Sequence, residues 1–183
     1  MSEARDKVLA TASKLFYKEG IRAVGVDRVA AEAGVSKMTL YRHYPSKDDL
    51  VVAVLDARDG PALAALRATA EHATGGPRER ILAAFEMLGP WFGSRGFRGC
   101  PFMNASLELA DPGHPARAVA KRHKTATRDH FAGLTEELGA ADPEGLADQL
   151  ALVFDGAIAQ AQMRDPQQVA GAALAAATAL LDH

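Results

Sequence analysis

Apolar residues recur along this chain at three- and four-residue spacing, whereas the strict alternation typical of strands is nearly absent. The first such stretch runs from Glu3 to Glu19 and is followed by Gly20, a residue type that commonly ends a helix. Its apolar positions share one helical face: Val8, Ala12, Leu15 and Phe16. The pattern predicts an all-α protein that opens with this helix.

Turn-forming residues divide the remaining chain into further segments, giving about nine helices in total. Short helices are predicted from Val26 to Gly34 and from Lys37 to Tyr44, and Ser46 can cap a fourth. At Gly60-Pro61 two alternatives stay open, because the fourth helix could pause there or the proline could begin a new segment. The later predicted helices are a helix through Ile81 and Phe92, then Phe102–Leu109, Pro115–Leu138, 144–163 and 166–182.

The segment from Gly25 to Tyr44 has the pattern of a helix-turn-helix. Ala30 is small enough for a close helix crossing, Gly34 suits a left-handed or cramped turn, and Leu40 adds an apolar contact. Ser36 can cap the second helix by accepting from its free amides. This second helix is expected to enter the major groove of DNA.

The charges support a polyanionic partner for the start of the chain. Residues 1–47 hold nine Lys/Arg and five Asp/Glu, a net +4, whereas residues 48–183 hold twelve and eighteen, a net −6. The basic charge of residues 1–47 predicts that this part of the chain, here called the head, binds nucleic acid, whereas the acidic remainder does not. The candidate contacts to phosphates and bases are Arg28, Ser36, Lys37, Thr39, Tyr41, Arg42, His43 and Lys47. For Tyr44 we expect packing under the helix instead.

Residues 34–50, GVSKMTLYRHYPSKDDL, resemble the DNA-binding domain of the TetR family of bacterial repressors. The preceding Phe16-Tyr17-Lys18-Glu19-Gly20 and Val29-Ala30 are similar to that family as well. The resemblance covers about the first third of the chain. One departure is Gly25, which stands where family members often carry a threonine that caps the helix and touches phosphate.

The resemblance implies a homodimer with one recognition helix per subunit, a palindromic operator, and a small ligand that changes the spacing of the two heads. We therefore expect a ligand-responsive repressor, with residues 1–61 as the DNA-binding domain and residues 62–183 as the regulatory and dimerisation domain. A regulator of the same fold that senses no small molecule is the alternative.

Aromatic and polar side chains of the second domain are the candidates for a ligand pocket. They are Phe85, Leu88, Trp91, Phe92, Phe102, Met103, Asn104, Glu108, Phe131 and Phe154, with His130 and Gln160 as further polar contacts. Ordinary core packing is an equally good interpretation of each residue taken singly.

The last two predicted helices are rich in apolar and small residues, which suits a four-helix interface between two copies. The candidate interface residues are Leu150, Phe154, Ala157, Ile158, Ala161, Leu174 and Leu181. The alternative is that these side chains only close the core of one chain.

An enzyme is the rival class, because Cys100 with His114, His123 or His130 could suggest nucleophilic or metal chemistry. The chain contains no CxxC, HExxH, glycine-rich phosphate loop or nucleophile elbow. We therefore expect no catalytic residues, metal or cofactor. The apolar runs are far shorter than the roughly 18 residues of a membrane span, and a single cysteine suits a reducing cytoplasm.

Overall fold

A computed structural model describes residues 3–182 of the chain, and this part contains α-helices and no strands. Ten helices follow one another in this order: α1 (Glu3–Glu19), α2 (Val26–Ala33), α3 (Lys37–His43), α4 (Lys47–His72), α5 (Pro77–Glu86), α6 (Leu88–Phe92), α7 (Pro101–Glu108), α8 (Pro115–Leu138), α9 (Pro143–Gln160) and α10 (Pro166–Leu181). The predicted all-α fold is confirmed.

The break between α5 and α6 explains why ten helices are observed where about nine were predicted. Met87 alone separates the two helices. Pro90 has no amide hydrogen to donate to the carbonyl of Glu86, so the regular hydrogen-bond ladder is interrupted at this point. The spacing of apolar residues through Ile81 and Phe92 does not show the interruption, which only Pro90 signals in the sequence.

α4 continues through Gly60-Pro61, which decides between the two alternatives left open by the sequence. Pro61 lies inside the helix, in its fifteenth position. Both α4 and α8 are long enough to contribute to the two compact units of the chain.

The first compact unit contains residues 3–60 together with residues 101–122. α1 packs on α2 and on α3, and α2 packs on α3. The predicted face of α1 is buried, and so are five apolar side chains between the loop after α1 and the start of α4: Val24, Val29, Leu40, Tyr44 and Leu50. The compact unit is thus larger than the predicted domain of residues 1–61, because α7 and the first part of α8 belong to it.

The second compact unit contains residues 61–100 and residues 123–182. α10 packs on α5, α6 and α9, and it buries Val169, Ala170, Ala173 and Ala177. Phe85, Phe131 and Phe154 form one aromatic cluster, with ring centroids 5.7–5.8 Å apart. Among the described helices, none is both long and apolar enough to cross a membrane.

Candidate nucleic-acid interface

The turn between α2 and α3 is built by Gly34. Its φ of 68° and ψ of 33° place it in the left-handed region, where a side chain would be strained. The amides of Gly34 and Val35 donate to the carbonyls of Ala31 and Ala30, at 3.2 and 3.0 Å, and so satisfy the end of α2. This confirms the conformation predicted for Gly34.

Ser36 begins the second helix of the motif as predicted. Its Oγ accepts a hydrogen bond from the amide of Thr39 at 3.1 Å and lies 2.9 Å from the Thr39 hydroxyl. At the start of α2, by contrast, Gly25 provides no side-chain cap. The first turn of α2 therefore lacks the contribution that a threonine would make, and carries only Asp27 as an acidic residue.

α3 has one buried side chain, which anchors it, and an otherwise exposed outer face. Leu40 is fully buried against the motif, whereas Lys37, Met38, Tyr41 and Arg42 are exposed. Met38 is 82% exposed, which is unusual for a side chain of its size and polarity. The sequence prediction omitted Met38, although its position two residues after the cap places it on the outer face of the helix.

Two of the predicted DNA contacts are engaged in ion pairs within the motif. Lys37 Nζ lies 2.7 Å from Asp27 Oδ1, and the hydrogen bond to this carboxylate raises the pKa of Lys37. The Arg28 guanidinium binds Glu19 at 2.5 Å and Glu32 at 2.8 Å, and both bonds raise its pKa. Arg28 therefore joins α1 to α2. Its two carboxylate partners offset its positive charge and weaken its attraction for a phosphate.

The remaining predicted contacts lie at the end of α3 and the start of α4. Thr39 and His43 are half-buried, and Lys47 is half-buried at the first position of α4. Burial holds the pKa of Lys47 below its ordinary value, and the opposing effect of Glu108 and Asp48 is smaller. Tyr44 is buried, and its hydroxyl donates to the carbonyl of Arg5 at 3.4 Å, so its expected packing role is confirmed.

Residues 101–122 are bonded to segments on either side of the helix-turn-helix in the same unit. Glu108 at the end of α7 accepts a hydrogen bond from the amide of Arg22 at 2.9 Å. His114 lies 3.3 Å from Asp48, and Arg122 lies 2.6 Å from Asp56. These three contacts tie α7 and the first part of α8 to the loop after α1 and to α4.

The candidate ligand residues are divided between the two units. Phe102, Met103, Asn104 and Glu108 lie on α7 in the first unit, where Asn104 lines a cleft and Glu108 holds the Arg22 amide. The others lie in the second unit: Phe85, Phe131 and Phe154 form one aromatic cluster, Trp91 and Phe92 form a second with Phe97, and Leu88 is fully buried. His130 lies beside Phe131, and Gln160 is exposed. The structure thus does not bring the candidates together in one described unit.

Most of the candidate interface residues are buried inside their own chain: Leu150, Phe154, Ala157, Ile158 and Ala161. Such side chains have little surface left for a second copy, so they fit the alternative of core closure. Leu174 and Leu181 are half-buried. The outer faces of α9 and α10 instead carry Leu152, which is 73% exposed, with several exposed glycines and alanines.

The cysteine and histidines that suggested an enzyme are mostly buried side chains. Cys100 is a buried free thiol, and His114 accepts from the amide of Ala116 at 3.2 Å through Nδ1. His123 is buried, and Nε2 of His130 is a buried nitrogen without a hydrogen-bond partner. Within residues 3–182, no three His, Cys, Asp or Glu side chains are grouped as metal ligands.

Comparison with known proteins agrees with the geometry of the motif. The family model for bacterial regulatory proteins of the tetR family matches residues 8–54, which span α1 to the first part of α4. The regulator YjdC of Escherichia coli is 27% identical over 85% of this chain and 82% of its own. The transcriptional activator FasR of Mycolicibacterium smegmatis is 39% identical over 46% of this chain and 38% of its own.

The likeness extends over the whole chain in solved structures. SCO4454, a TetR-family transcriptional regulator from Streptomyces coelicolor, is 36% identical to this chain, with a TM-score of 0.91. The similarity covers 100% of this chain and 96% of that protein. The helix-turn-helix with its exposed second helix, together with 36% sequence identity along the whole chain, shows that the chain belongs to the TetR family of DNA-binding transcriptional regulators.

Proposed function

We propose that this regulator binds a palindromic operator as a homodimer and represses transcription there, and that a small ligand releases it from DNA. The observation that carries the proposal is the exposed face of α3, with Lys37, Met38 and Tyr41 projecting from a helix that Ser36 and Leu40 fix in place. A rigid helix with polar and apolar groups on its outer face can lie in the major groove and read base edges.

The contacts to DNA divide by chemistry. Thr39, Tyr41, His43 and Lys47 suit phosphate oxygens, which fix the position of the protein on the duplex. Lys37 and Arg42 can donate to guanine, and the exposed Met38 suits the methyl group of thymine. Arg28 and Ser36 act through the motif's own structure, since both are bonded within it.

The homodimer is proposed to form through the outer faces of α9 and α10. Exposed Leu152 would lie at its centre, and the small side chains of Gly156, Ala172, Ala175 and Ala176 would let the two copies approach closely. Leu174 and Leu181 are half-buried on another side of α10, since Leu174 is two positions from both Ala172 and Ala176. Two copies related by a two-fold axis would present two α3 helices to two half-sites.

Repression follows from occupation of an operator, but the relative FasR is named as an activator. A transcription reporter distinguishes the two roles, because a repressor lowers the expression of a promoter that carries the selected site. The proposed effector would act only if it binds the DNA-free arrangement more tightly than the DNA-bound one. The chain is expected to act in the cytoplasm, where its operator is.

The test is selection of binding sites from a pool of random duplexes, followed by fluorescence anisotropy on the selected site at fixed salt. We expect a palindrome, and we expect the triple substitution Thr39→Ala, Tyr41→Ala and Lys47→Ala to weaken binding at least about tenfold through lost phosphate contacts. Lys121→Ala, an exposed substitution on α8, is the control and should leave affinity unchanged. No enrichment of any site, or equal affinity of the triple variant, would refute the proposal.

A further inference from the structure

The carboxylate of Glu108, at the end of α7, lies against the loop between α1 and α2. Its Oε2 accepts a hydrogen bond from the Arg22 amide at 2.9 Å. Both carboxylate oxygens lie close to Gly20, where an added Cβ would be 3.1 and 3.3 Å from them. Gly20 has a φ of 96°, in the left-handed region that favours glycine. The backbone of this loop therefore leaves room for the carboxylate and donates to it.

The loop between α1 and α2 sets where α2 begins, and α2 leads into α3 through the turn at Gly34. Ile21 and Val24 are buried, so two apolar side chains anchor the loop on the inside. Gly25 gives the first turn of α2 no side-chain cap. Glu108 thus supplies a polar contact from another helix, three positions before a helix start that has no side-chain contact from its own N-cap.

Arg117, in the first turn of α8, holds the end of α7 where Glu108 lies. Its Nη1 donates to the carbonyls of Ser106 and Leu109, at 2.8 and 3.2 Å, and its side chain is half-buried. The last carbonyls of a helix have no amide partner within it, so these bonds cap α7. Because the two carbonyls stand on either side of Glu108 in the sequence, Arg117 restricts the directions in which Glu108 can point.

Glu108 has two properties that bear on DNA binding, its reach to the loop and its negative charge. The charge acts on Lys47, at the start of α4: burial lowers the pKa of Lys47, and Glu108 opposes this effect. A negative charge near a phosphate contact weakens DNA binding, whereas a hydrogen bond that holds the loop strengthens it. The hydrogen bond to Arg22 is direct, so we expect reach to outweigh charge.

We propose that Glu108 is a positioning residue for DNA binding, which holds the Arg22 amide and so fixes the loop from which α2 begins, and with α2 the placement of α3 on the duplex. Glu108 itself touches no DNA in this arrangement, since it acts through the loop and α2. The Arg22 amide needs an acceptor of this length at this place, whether that acceptor is charged or neutral. The inference rests on the DNA binding in the proposed function, and on neither repression nor an effector.

Two variants of the full-length protein separate reach from charge in fluorescence anisotropy on the selected duplex at fixed salt. Glu108→Gln keeps the reach and loses the charge, and its affinity should stay within about twofold of that of the unmodified protein. Glu108→Asp keeps the charge and loses the reach, and it should bind about fivefold more weakly. Asp56→Ala is the control, because it removes a carboxylate of the same unit that binds Arg122 on α8. Its DNA affinity should be unchanged even where its melting temperature is lowered.

A second measurement follows the loop itself, without DNA. Amide hydrogen exchange of residues 20–25 should be faster in Glu108→Asp than in Glu108→Gln, because only the longer side chain reaches the Arg22 amide. Arg117→Ala should also weaken DNA binding, and combining it with Glu108→Asp should add no further loss, since both act through one contact.

Three results would overturn the proposal: Glu108→Asp binding DNA as tightly as the unmodified protein, Glu108→Gln binding as weakly as Glu108→Asp, or equal exchange of residues 20–25 in the two variants. Absence of DNA binding by the unmodified protein is a different result, because it contradicts the proposed function. The exchange measurement needs no duplex, so the two failures are distinguishable.

Discussion

At the scale of single residues, Gly34 determines whether α2 and α3 can meet at their angle. A Cβ there would have no neighbour within 4 Å, so Gly34→Ala introduces backbone strain without a clash. We expect this change to lower the free energy of unfolding by about 1 kcal/mol, as measured by urea denaturation. Gly133→Ala, on an exposed helical position with equal space, should instead raise it by about 0.5–1 kcal/mol. The same sign for both variants would contradict this role of Gly34.

His130 makes the stability of the fold depend on pH. Burial, with smaller contributions from Arg67 and Arg80, lowers the pKa of His130 from its ordinary value of 6.5. The unfolded chain therefore binds a proton at a higher pH than the folded chain does. The contribution of neutral His130 to stability is fully present above pH 6.5 and declines as the pH falls through that value.

The variant His130→Gln tests this sign. We expect the difference in melting temperature between the variant and the unmodified protein to shift in favour of the variant as the pH is lowered from about 8 to about 5. Thermal melts in matched buffers measure this difference, and the other titrating groups cancel in it. A difference that stays constant across this pH range would show that His130 titrates alike in both states.

At this scale, the sequence predicted the residues whose environment is local. The left-handed Gly34, the cap Ser36 and the buried Tyr44 follow from neighbours within a few positions, and all three are observed. The ion pair of Arg28 with Glu19 was not predicted, because Glu19 belongs to another helix and its distance depends on how α1 and α2 pack. The pair with Glu32, four positions further along α2, could have been predicted from the sequence. The exposure of Met38 could have been predicted from its offset from buried Leu40.

At the scale of helices, Asp27 and Lys37 join α2 to α3 through an exposed ion pair. Such pairs add little stability, so the effect of Asp27 should appear in DNA binding. Asp27→Asn removes a negative charge near the exposed face of α3 and frees Lys37. We expect tighter binding and a steeper decrease in affinity with salt, by about one counterion, in anisotropy titrations.

Glu71→Gln provides the matched control for this prediction, since it removes one exposed carboxylate from the second unit. Its affinity for the selected duplex and its salt dependence should equal those of the unmodified protein. If Asp27→Asn binds no more tightly than Glu71→Gln, the ion pair does not limit the contact of Lys37 with DNA.

Helix positions were predictable where periodicity and caps agree, and less so where prolines interrupt them. α1 and α8 have the predicted bounds. Pro61 gave an ambiguous pattern, because a proline can end, begin or lie within a helix, and only the structure shows that α4 continues through it. The break at Met87 leaves no signal in the spacing of apolar residues, and only Pro90 marks it in the sequence.

At the scale of the whole molecule, the proposed dimer depends on the exposed surface of α9 and α10. Leu152→Glu places a charge on that face without disturbing the core, so we expect it to dissociate the dimer in light-scattering measurements. Leu107→Glu changes an equally exposed leucine on α7 and should remain dimeric. A dimer that survives Leu152→Glu would exclude this face.

Phe154 is unsuitable for the same test. It contacts Phe85 and Phe131 within its own chain, so Phe154→Glu would bury a charge in the core and unfold the protein. The sequence could not separate core from interface here, because both are apolar surfaces at helical spacing. The same reason explains why the ligand candidates spread over two units: a pocket depends on convergence in space, which periodicity along one helix does not specify.

Protection of guanine N7 from methylation by dimethyl sulfate tests the placement of α3 most directly, because N7 faces the major groove. On the selected duplex, bound protein should protect guanines in two patches about one helical turn apart, one for each α3 helix. Substitution of Thr39, Tyr41 and Lys47 by alanine should remove both patches at the same protein concentration. Bound duplex with unprotected guanine N7, or with protection confined to adenine N3 in the minor groove, would contradict the account.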